Sequence, residues 1–322
     1  MTERDLIVGI DLGGTQFRVC LADATGTIIR RQRWDTNAQA GPSAVIERME
    51  AAVRETVAPE GLARVAGIGV GAPGPLNPWQ GVVLGAPNLP GWNAVPLRDM
   101  MQNGLGVPVY LGNDANLAAL GELYFGAGQG LRNIVYITVS TGVGGGVISD
   151  GHLLLGANGL AGEIGHMTIE ANGPRCACGN LGCLEALASG TAIAREARAR
   201  LATGTQTAMR DLAHGDPERV TAVLVEQAAR QGDAVAAAIL HTAATYLGIG
   251  VVNVLHLFDP EMVIIGGGVS QAGELVFDPV FEVVQQRAML PYRARTRIVR
   301  AQLADDAGLM GALALVMSEG GR

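Results

Sequence analysis

Thiol, imidazole and carboxylate side chains concentrate in one short segment of this 322-residue chain, between Glu163 and Glu185. Three of the four cysteines and one histidine lie here within eighteen residues: His166, Cys176, Cys178 and Cys183. Three thiolates and one imidazole form the donor set that a tetrahedral structural zinc prefers, and two glycines allow the backbone to turn tightly around the ion. The spacing therefore predicts a zinc site that orders this loop.

A disulfide is the alternative interpretation of these cysteines. Cys176 and Cys178 are too close in sequence to pair easily with each other, and residues 1–4 show no signal peptide leading to an oxidising compartment. We therefore expect zinc-bound thiolates in a cytoplasmic protein. The fourth cysteine, Cys20, lies in an alternating apolar run and is expected to be a small buried hydrophobic residue.

Glu163 and Glu185 flank the predicted zinc ligands and are poor candidates for the same closed four-ligand site, so we expect them to face something else. A sugar is a ring of hydrogen-bond donors and acceptors, and its site needs ionised carboxylates and amides. Asn113 and Asp114, which follow a predicted strand over 107–111, complete such a set. Asp114 is also predicted to cap a helix that reaches about residue 125.

Composition excludes several classes of function. The chain is 48% hydrophobic with a formal net charge of −7 and no run of basic residues, so nucleic acids and acidic membranes are not expected as partners. No apolar stretch is expected to reach the ~18 residues of a transmembrane helix. Lysine is absent and all 23 cationic side chains are arginine, which excludes a P-loop lysine and a Schiff-base mechanism.

Alternating strands and helices must position these side chains. In the first part of the chain the pattern predicts strands over 6–10, 16–23, 27–33 and 65–70, a helix over 42–57 and a Pro/Gly-rich loop over 71–92. A hairpin over 133–149 repeats the plan of strand, Gly-rich turn and strand. This repeat indicates two related half-domains that each offer one hairpin to a cleft. Further elements are predicted over 233–258 (helix), 262–265 (strand), from about 274 (helix) and over 308–318 (helix).

Three glycine-rich turns, at 11–15, 140–146 and 266–268, each follow a predicted strand. Glycine permits positive φ, and consecutive backbone N–H groups form a concavity that attracts phosphate. One such turn could be an ordinary hairpin turn, whereas three in one chain predict phosphate binding.

Gly69-x-Gly71-x-x-Gly74 matches the dinucleotide fingerprint and follows a predicted strand. Prolines at 73, 75 and 78 prevent the helix whose N-terminus would receive the pyrophosphate. We therefore reject a nicotinamide-dependent enzyme.

Several motifs together resemble the ROK family of bacterial sugar kinases, in order and over nearly the whole chain. They are Asp-Leu-Gly-Gly-Thr at 11–15, Gly-Ala-Pro-Gly-Pro at 71–75, Gly-Asn-Asp-Ala-Asn at 112–116, Ser-Thr-Gly-Val-Gly-Gly-Gly at 140–146, Gly-Glu-Ile-Gly-His at 162–166 and Cys-x-Cys-Gly-x-x-Gly-Cys-x-Glu at 176–185. The last motif is the most specific. Pro-Asn-Leu-Pro-Gly-Trp at 87–92 resembles the glucose-phosphorylating members of the family.

The resemblance implies an α/β protein with the two-domain actin-like ATPase (ribonuclease H-like) fold and a cleft between the domains. Residues 1–115 with 305–322 would form the N-terminal domain, and residues 116–304 the larger C-terminal domain with the zinc loop. ATP and Mg²⁺ would bind on one side of the cleft and a hexose on the other, in a homodimer or homotetramer.

The resemblance also implies roles for single residues. Asp114 would be the general base that takes the proton from the sugar hydroxyl. The implied sugar-binding residues are Gly74, Asn88, Asn113, Asp114, Glu163, His166 and Glu185. His166 would use one ring nitrogen for zinc and the other for the sugar. The residues implied to bind ATP and Mg²⁺ are Asp11, Gly13, Gly14, Thr15, Thr141, Gly142, Gly144, Gly145, Gly266, Gly267 and Gly268.

ATP-dependent phosphorylation of glucose to glucose 6-phosphate is the activity expected from the resemblance. Two alternatives stay open. The hexose could be N-acetylmannosamine, N-acetylglucosamine, mannose or fructose, with ADP or polyphosphate as other donors. The chain could also be a non-catalytic sugar-responsive regulator, although such regulators carry a helix-turn-helix of roughly 60 residues or more before the first glycine turn, and Asp11 here follows only ten residues.

Overall fold

A computed structural model of the chain describes residues 4–319, in which strands and helices alternate as predicted. The strands are β1 (Leu6–Leu12), β2 (Gln16–Asp23), β3 (Ile28–Asp35), β4 (Val65–Ala72), β5 (Leu76–Asn77), β6 (Val82–Gly85), β7 (Asn93–Val95), β8 (Val109–Asn113), β9 (Ile134–Val139), β10 (Val143–Ser149), β11 (His152–Leu153), β12 (Met262–Gly266) and β13 (Arg297–Arg300). The helices are α1 (Pro42–Val57), α2 (Leu97–Leu105), α3 (Asp114–Phe125), α4 (Leu184–Ala188), α5 (Gly190–Ala202), α6 (Met209–Leu212), α7 (Ala222–Arg230), α8 (Ala234–Phe258), α9 (Glu274–Arg287), α10 (Leu290–Arg295) and α11 (Ala307–Glu319).

Two five-stranded sheets share one plan. In the first sheet, of order β3-β2-β1-β4-β8, an antiparallel meander of β1 to β3 is extended by β4 and β8, which run parallel to β1. In the second sheet, of order β11-β10-β9-β12-β13, the antiparallel hairpin β9–β10 is extended by β12 and β13, which run parallel to β9. The predicted repeat of strand, Gly-rich turn and strand is confirmed. β1 is buried almost throughout because it is a central strand, whereas the edge strand β3 alternates between exposed and half-buried residues.

The segment 71–92, predicted as a loop, contains β5 and β6, which pair with β7 in a small antiparallel sheet. Strands of two to four residues among prolines and glycines leave too short an alternating pattern to be recognised in the sequence. Helices α4 to α7 lie in a stretch for which the sequence pattern predicts no element. These parts of the fold emerge only from the structure.

Helices α3 and α11 pack against each other between the two sheets, so the layers follow the order first sheet, α11, α3, second sheet. The layers approach most closely at glycines. A Cβ atom would lie 1.9 Å from a backbone oxygen of α11 at Gly69, 1.8 Å from a backbone oxygen of α3 at Gly311, and 2.7 Å from a side-chain carbon of α3 at Gly146. Larger residues at these positions would force the layers apart.

Helix α8 corrects one expectation. Its 25 residues include no charged side chain, and by length and composition it could cross a membrane, so the expectation that no apolar stretch is long enough is wrong. In the structure α8 packs against α4, α7 and α9, and 56% of its most apolar window is buried inside the protein. The apolar composition of α8 is explained by its position in the core.

The division of the chain into domains, 1–115 with 305–322 and 116–304, stays a prediction. Its boundaries fall at the start of α3 and just before α11, the two helices that lie between the sheets. Residues 320–322, assigned to the first domain, lie outside the described part of the chain.

Candidate active site

A cleft of about 610 Å³ brings together most of the predicted sugar-binding residues. Six of the seven line it: Gly74, Asn113, Asp114, Glu163, His166 and Glu185. Gly144 and Gly145, predicted to bind phosphate, line the same cleft. The seventh residue, Asn88, is not among the lining residues. Asn88 lies beside the first glycine turn, where a Cβ atom on Gly14 would be 2.8 Å from the Cβ and the main-chain oxygen of Asn88.

Asn113 and Asp114 lie where β8 ends and α3 begins. Asn113 is the N-cap of α3, because its side-chain oxygen accepts hydrogen bonds from the N–H groups of Ala115 (3.0 Å) and Asn116 (3.3 Å). The prediction that Asp114 caps the helix is wrong by one residue. Asn and Asp are about equally favourable at an N-cap, so the sequence alone does not show which of the two adjacent residues is the cap. Asp114 is instead the first helical residue, and its Oδ1 accepts a hydrogen bond from the Ala115 N–H at 2.8 Å.

The carboxyl group of Asp114 is perturbed by its position. Its side chain reaches the open space of the cleft, while protein atoms surround it on its other sides. This burial raises the pKa of Asp114 to about 6; the Ala115 N–H opposes the shift, and the negative charges of Asp11 and Glu163 add to it. A carboxyl group that titrates near neutral pH inside a polar cleft is typical of a general base.

The four predicted zinc ligands lie together next to the cleft. One ligand atom from each of His166, Cys176, Cys178 and Cys183 lies within 4.8 Å of the others. Cys178 Sγ is 3.7 Å from Cys183 Sγ, and Cys176 Sγ is 3.8 Å from His166 Nδ1. Tetrahedral zinc with Zn–S bonds of about 2.3 Å separates two thiolates by roughly 3.8 Å, so these side chains fit a zinc ion. Asn180 Nδ2 donates a hydrogen bond to Cys183 Sγ at 3.4 Å and helps to orient that ligand.

All four cysteines are free thiols, so the structure gives no support to the disulfide alternative. Cys20 is completely buried in β2 and lies outside the cluster. Burial raises the pKa of the Cys20 thiol to about 12, which makes it unreactive, as expected for a buried hydrophobic residue.

His166 faces the cysteine cluster and the cleft at once. Its Nδ1 points to Cys176, while its Nε2 lies 3.9 Å from Glu163 Oε2. When Nδ1 binds a metal, the neutral ring carries its proton on Nε2, which can then donate a hydrogen bond into the cleft. The geometry is compatible with the double role implied for this residue.

Glu185 links the cysteine loop to the second glycine turn. Its Oε2 accepts a hydrogen bond from the Val143 N–H at 3.1 Å, and its Oε1 lies 3.6 Å from Cys176 Sγ. A Cβ atom on Gly142 would lie only 2.4 Å from Glu185 Oε2. Gly142 therefore lets the carboxylate approach the turn. Glu185 lines the cleft as expected, but it is held by two neighbours rather than being free of other contacts.

The first and third glycine turns have different surroundings. Residues 13–15 form the tight turn between β1 and β2. At the third turn, a Cβ atom on Gly266 would lie 2.4 Å from a tyrosine hydroxyl oxygen, and Gly267 has a φ of +82°. Packing and backbone conformation thus require glycine at these two positions, whereas Gly268 lines a second cavity.

This second cavity, of about 360 Å³, lies next to the 140–146 turn. Thr141 and Gly268, both predicted to bind ATP, line it together with polar and apolar side chains that include Thr191, Arg198, Thr221, Val223, Leu240 and Val269. Apolar walls with a few hydroxyl groups suit a planar heterocyclic base. The 140–146 turn borders both cavities, since Thr141 lines this one while Gly144 and Gly145 line the cleft.

Asp11, expected to help position Mg²⁺, forms an ion pair with Arg18, in which Asp11 Oδ2 lies 2.6 Å from Arg18 Nη2. Arg18 Nη1 also lies 3.4 Å from Asp306 Oδ1. Sequence reasoning missed Arg18. The signal that could have found it is the register of the β1–β2 hairpin, which sets Asp11 and Arg18 directly opposite each other.

Two more polar residues at these cavities were missed. Asn116 Oδ1 and Arg198 Nε are buried and have no hydrogen-bond partner within residues 4–319. Asn116 lines the cleft and Arg198 lines the second cavity. Asn116 is the last residue of the 112–116 motif and could have been included with it, whereas nothing in the sequence marks Arg198.

The two sheets share one plan and adjoin a polar cleft, which is lined by the Asp114 carboxylate at the start of α3 and by glycines of the 140–146 turn. This arrangement is that of the two-domain sugar kinases with the actin-like ATPase fold. A sequence model described as the ROK family matches residues 7–319. The chain belongs to this family.

Three similar proteins illustrate the range of the family. The glucokinase of Thermotoga maritima is 41% identical over 310 residues, which cover 96% of each chain. The second is a ROK family glucokinase from Streptomyces griseus, whose crystal structure is in complex with glucose and AMPPNP. Its sequence is 36% identical, and the two structures match with a TM-score of 0.81 over 96% of this chain and 98% of that chain. The xylose repressor of Caldicellulosiruptor bescii is 35% identical over 315 residues, or 97% of this chain and 78% of the repressor.

Proposed function

We propose that this protein phosphorylates the 6-hydroxyl group of glucose with ATP as the phosphoryl donor. The observation that carries the proposal is the meeting of Asp114, whose pKa is raised, with Asn113, Glu163 and Glu185 in one cleft bordered by the 140–146 turn. Similarity to two glucokinases, one of them with glucose and AMPPNP bound, supports glucose and ATP as the substrate pair.

In this reaction the 6-oxygen of glucose attacks the γ-phosphorus of ATP, the bond from that phosphorus to the bridging oxygen breaks, and ADP leaves. Asp114 takes the hydroxyl proton as the new O–P bond forms. Phosphoryl transfer depends mostly on positioning and charge stabilisation, and a general base adds a factor of about 10²–10⁴. With a pKa of about 6, Asp114 is largely ionised at neutral pH and able to accept the proton.

The other polar residues of the cleft bind the remaining hydroxyl groups of the sugar. Glu163 and Glu185 act as acceptors. The side-chain oxygen of Asn113 is used to cap α3, so its NH₂ group is the part that donates to the sugar. His166 donates from Nε2 when Nδ1 is bound to a metal. This mixture of donors and acceptors matches a ring of hydroxyl groups.

The nucleotide lies along the 140–146 turn. Its base occupies the second cavity, against Thr141 and Gly268, and its phosphates reach Gly144 and Gly145 at the edge of the cleft. The support for this arrangement is that one turn borders both cavities. The γ-phosphate then meets the sugar hydroxyl next to Asp114.

The zinc ion that fits the cluster of His166, Cys176, Cys178 and Cys183 has a structural role. A closed Cys₃His site has no coordination position for a substrate, so it orders the loop that carries Glu163 and Glu185. Mg²⁺ that arrives with ATP would offset the charge of the phosphates. Asp11, whose charge acts on Asp114 and whose orientation is held by Arg18, is the residue that would help to position it.

The same proposal assigns the enzyme to the cytoplasm, where it would supply glucose 6-phosphate to glycolysis as a homodimer or homotetramer. Similarity to the glucokinase of Thermotoga maritima over 96% of each chain supports a place among the kinases of the family.

A non-catalytic sugar-responsive regulator is the second candidate, favoured by the similarity to the xylose repressor. A panel of glucose, mannose, fructose, N-acetylglucosamine and N-acetylmannosamine, assayed with ATP, ADP or polyphosphate and Mg²⁺, distinguishes the candidates. Turnover of glucose with ATP supports the proposal, and a strong preference for another hexose or donor corrects the substrate. Sugar binding by calorimetry without turnover of any pair would identify a regulator.

A further inference from the structure

Glu122 is a completely buried carboxylate near the C-terminal end of α3. Its Oε2 accepts a hydrogen bond from the N–H of Ala127 and its Oε1 from the N–H of Leu303, both at 2.8 Å. Its main-chain oxygen accepts from Gly126 at 3.1 Å and Gly128 at 2.9 Å. Within residues 4–319 the carboxylate has no ion-pair partner. A buried carboxylate is costly unless hydrogen bonds stabilise it, so these two side-chain bonds are what hold it in place.

The two amides bound by the Glu122 side chain belong to the two connections between the sheets. Ala127 lies in the connection from α3 to β9, through which the chain enters the second sheet. Leu303 lies in the connection from β13, the last strand of the second sheet, to α11, which packs on β1 and β4 of the first sheet. The Glu122 side chain therefore holds both connections between the sheets against α3 by hydrogen bonds.

The Leu303 connection is also anchored to the first sheet. Asp306 Oδ1 lies 3.4 Å from Arg18 Nη1, and Asp306 Oδ2 lies 2.9 Å from Arg31 Nη1. Both arginines are on the meander of β1 to β3. The short segment 303–306 is thus held on one side by α3 and on the other by the first sheet.

Helix α3 transmits this arrangement to the site. Asp114 is its first residue, at the opposite end from Glu122. Gly144 and Gly146 of β10 pack directly on α3, where Cβ atoms would lie 3.0 Å and 2.7 Å from alanine side chains of the helix. A shift of α3 relative to the second sheet therefore moves the Asp114 carboxylate relative to the 140–146 turn, and a shift relative to the first sheet moves it relative to Gly74, which follows β4 and lines the same cleft.

We propose that Glu122 is a positioning residue for phosphoryl transfer. By holding both connections against α3, it sets the position of Asp114 relative to the 140–146 turn as the two halves of the molecule close on their substrates. The kinetic part of this inference rests on the proposed function, while its structural part rests only on the hydrogen bonds of Glu122.

The test substitution is Glu122→Gln. Glu261→Gln is the control for loss of a carboxylate that accepts two backbone N–H bonds, at an exposed rather than a buried position. At Glu122 the two bonds go to different oxygens, so glutamine loses one of them because an NH₂ group cannot accept from an N–H. At Glu261 a single oxygen, Oε2, accepts from both Arg132 (2.8 Å) and Asn133 (2.9 Å), and glutamine can keep both bonds with its one oxygen. Glu261 also borders only the second sheet.

Gly126→Ala is a second route that keeps the charge of Glu122. A Cβ atom there would lie 2.1 Å from Glu122 Oε2, so it displaces the carboxylate.

The experiment measures kcat and KM for glucose, hydrogen exchange at the amides of Ala127 and Leu303, and small-angle scattering without ligand and with glucose plus a non-hydrolysable ATP analogue. We expect Glu122→Gln and Gly126→Ala to lower kcat by about 10- to 100-fold, to speed exchange at one or both amides and to reduce the ligand-induced compaction. Glu261→Gln should stay within twofold of the unmodified protein in all three.

An unchanged kcat in folded Glu122→Gln, or losses in Glu261→Gln equal to those in Glu122→Gln, would overturn the proposal. Where Glu122→Gln does not fold, Gly126→Ala decides by the same criteria. Where the unmodified protein phosphorylates no hexose, the proposed function fails. Amide exchange and ligand-free scattering then decide the structural part, and unchanged values in Glu122→Gln would overturn it.

Discussion

Glu185 Oε2 accepts a hydrogen bond from the backbone N–H of Val143 at 3.1 Å. This bond joins the loop that carries the four zinc-ligand candidates to the glycine turn that borders both cavities. The sugar side and the phosphate side of the site are therefore mechanically connected. Loss of the metal should be felt at the sugar, and a change in the turn should be felt at Glu185.

Removal of one thiolate tests the first of these consequences. We expect Cys178→Ser to lower zinc content and glucose affinity together, because the loop that carries Glu163 and Glu185 loses its anchor. Metal analysis and calorimetric titration with glucose measure the two effects. Cys20→Ala, outside the cluster, is the control and should keep its zinc. Full activity in a verifiably zinc-free protein would refute this role of the metal.

A methyl group at Gly142 tests the second consequence. Gly142→Ala should push the Glu185 carboxylate away, since the added carbon would lie 2.4 Å from its Oε2. We expect KM for glucose to rise by about tenfold, the effect of losing roughly one charge-assisted hydrogen bond. Gly85→Ala, where a Cβ atom meets nothing within 4 Å, is the control. Equal kinetics in both variants would show that Glu185 does not depend on the turn.

Ionisation of Asp114 should control activity at low pH. Because its pKa is raised to about 6, kcat/KM for glucose should fall with decreasing pH below about 6, approaching tenfold per pH unit. A pH profile at constant ionic strength measures this. A profile that stays flat down to pH 4.5 would show that another group limits the reaction.

The same raised pKa predicts the sign of a stability effect. The folded protein binds the Asp114 proton more tightly than the unfolded chain, whose ordinary value is 3.8. Stability from this group is thus fully present below about pH 3.8 and is lost as the pH rises through about 6. Asp114→Asn removes that loss. The Tm of the variant minus the Tm of the unmodified protein should therefore be larger at pH 8 than at pH 4. A difference that is constant or reversed would contradict the assignment.

Asn113 should separate helix capping from sugar binding. Asn113→Asp keeps the oxygen that caps α3 but loses the NH₂ donor, whereas Asn113→Ala loses both. We expect the alanine variant to lose about 1 kcal/mol of unfolding free energy and the aspartate variant to retain its stability. Both should bind glucose more weakly. Urea denaturation and calorimetry check the two effects, and unchanged glucose affinity in the aspartate variant would remove Asn113 from the sugar site.

The sequence predicts the paired hairpins and the site motifs because short apolar runs that end in glycine leave a strong local pattern. It cannot distinguish a glycine required by a ligand from one required by a neighbouring residue. Gly266 packs against a tyrosine hydroxyl and Gly142 against Glu185, contacts that depend on tertiary structure. Glu122 is a similar case, because nothing local separates a buried glutamate that joins two connections from one on a helix surface.

Turnover of glucose with ATP and Mg²⁺, compared between the unmodified protein and Asp114→Asn, tests the central claim most directly. The account predicts formation of glucose 6-phosphate by the unmodified protein and a loss of about 10²–10⁴ in kcat in the variant, with glucose binding and folding retained. Equal turnover by the two proteins, or no turnover by a folded unmodified protein that binds zinc, would contradict it.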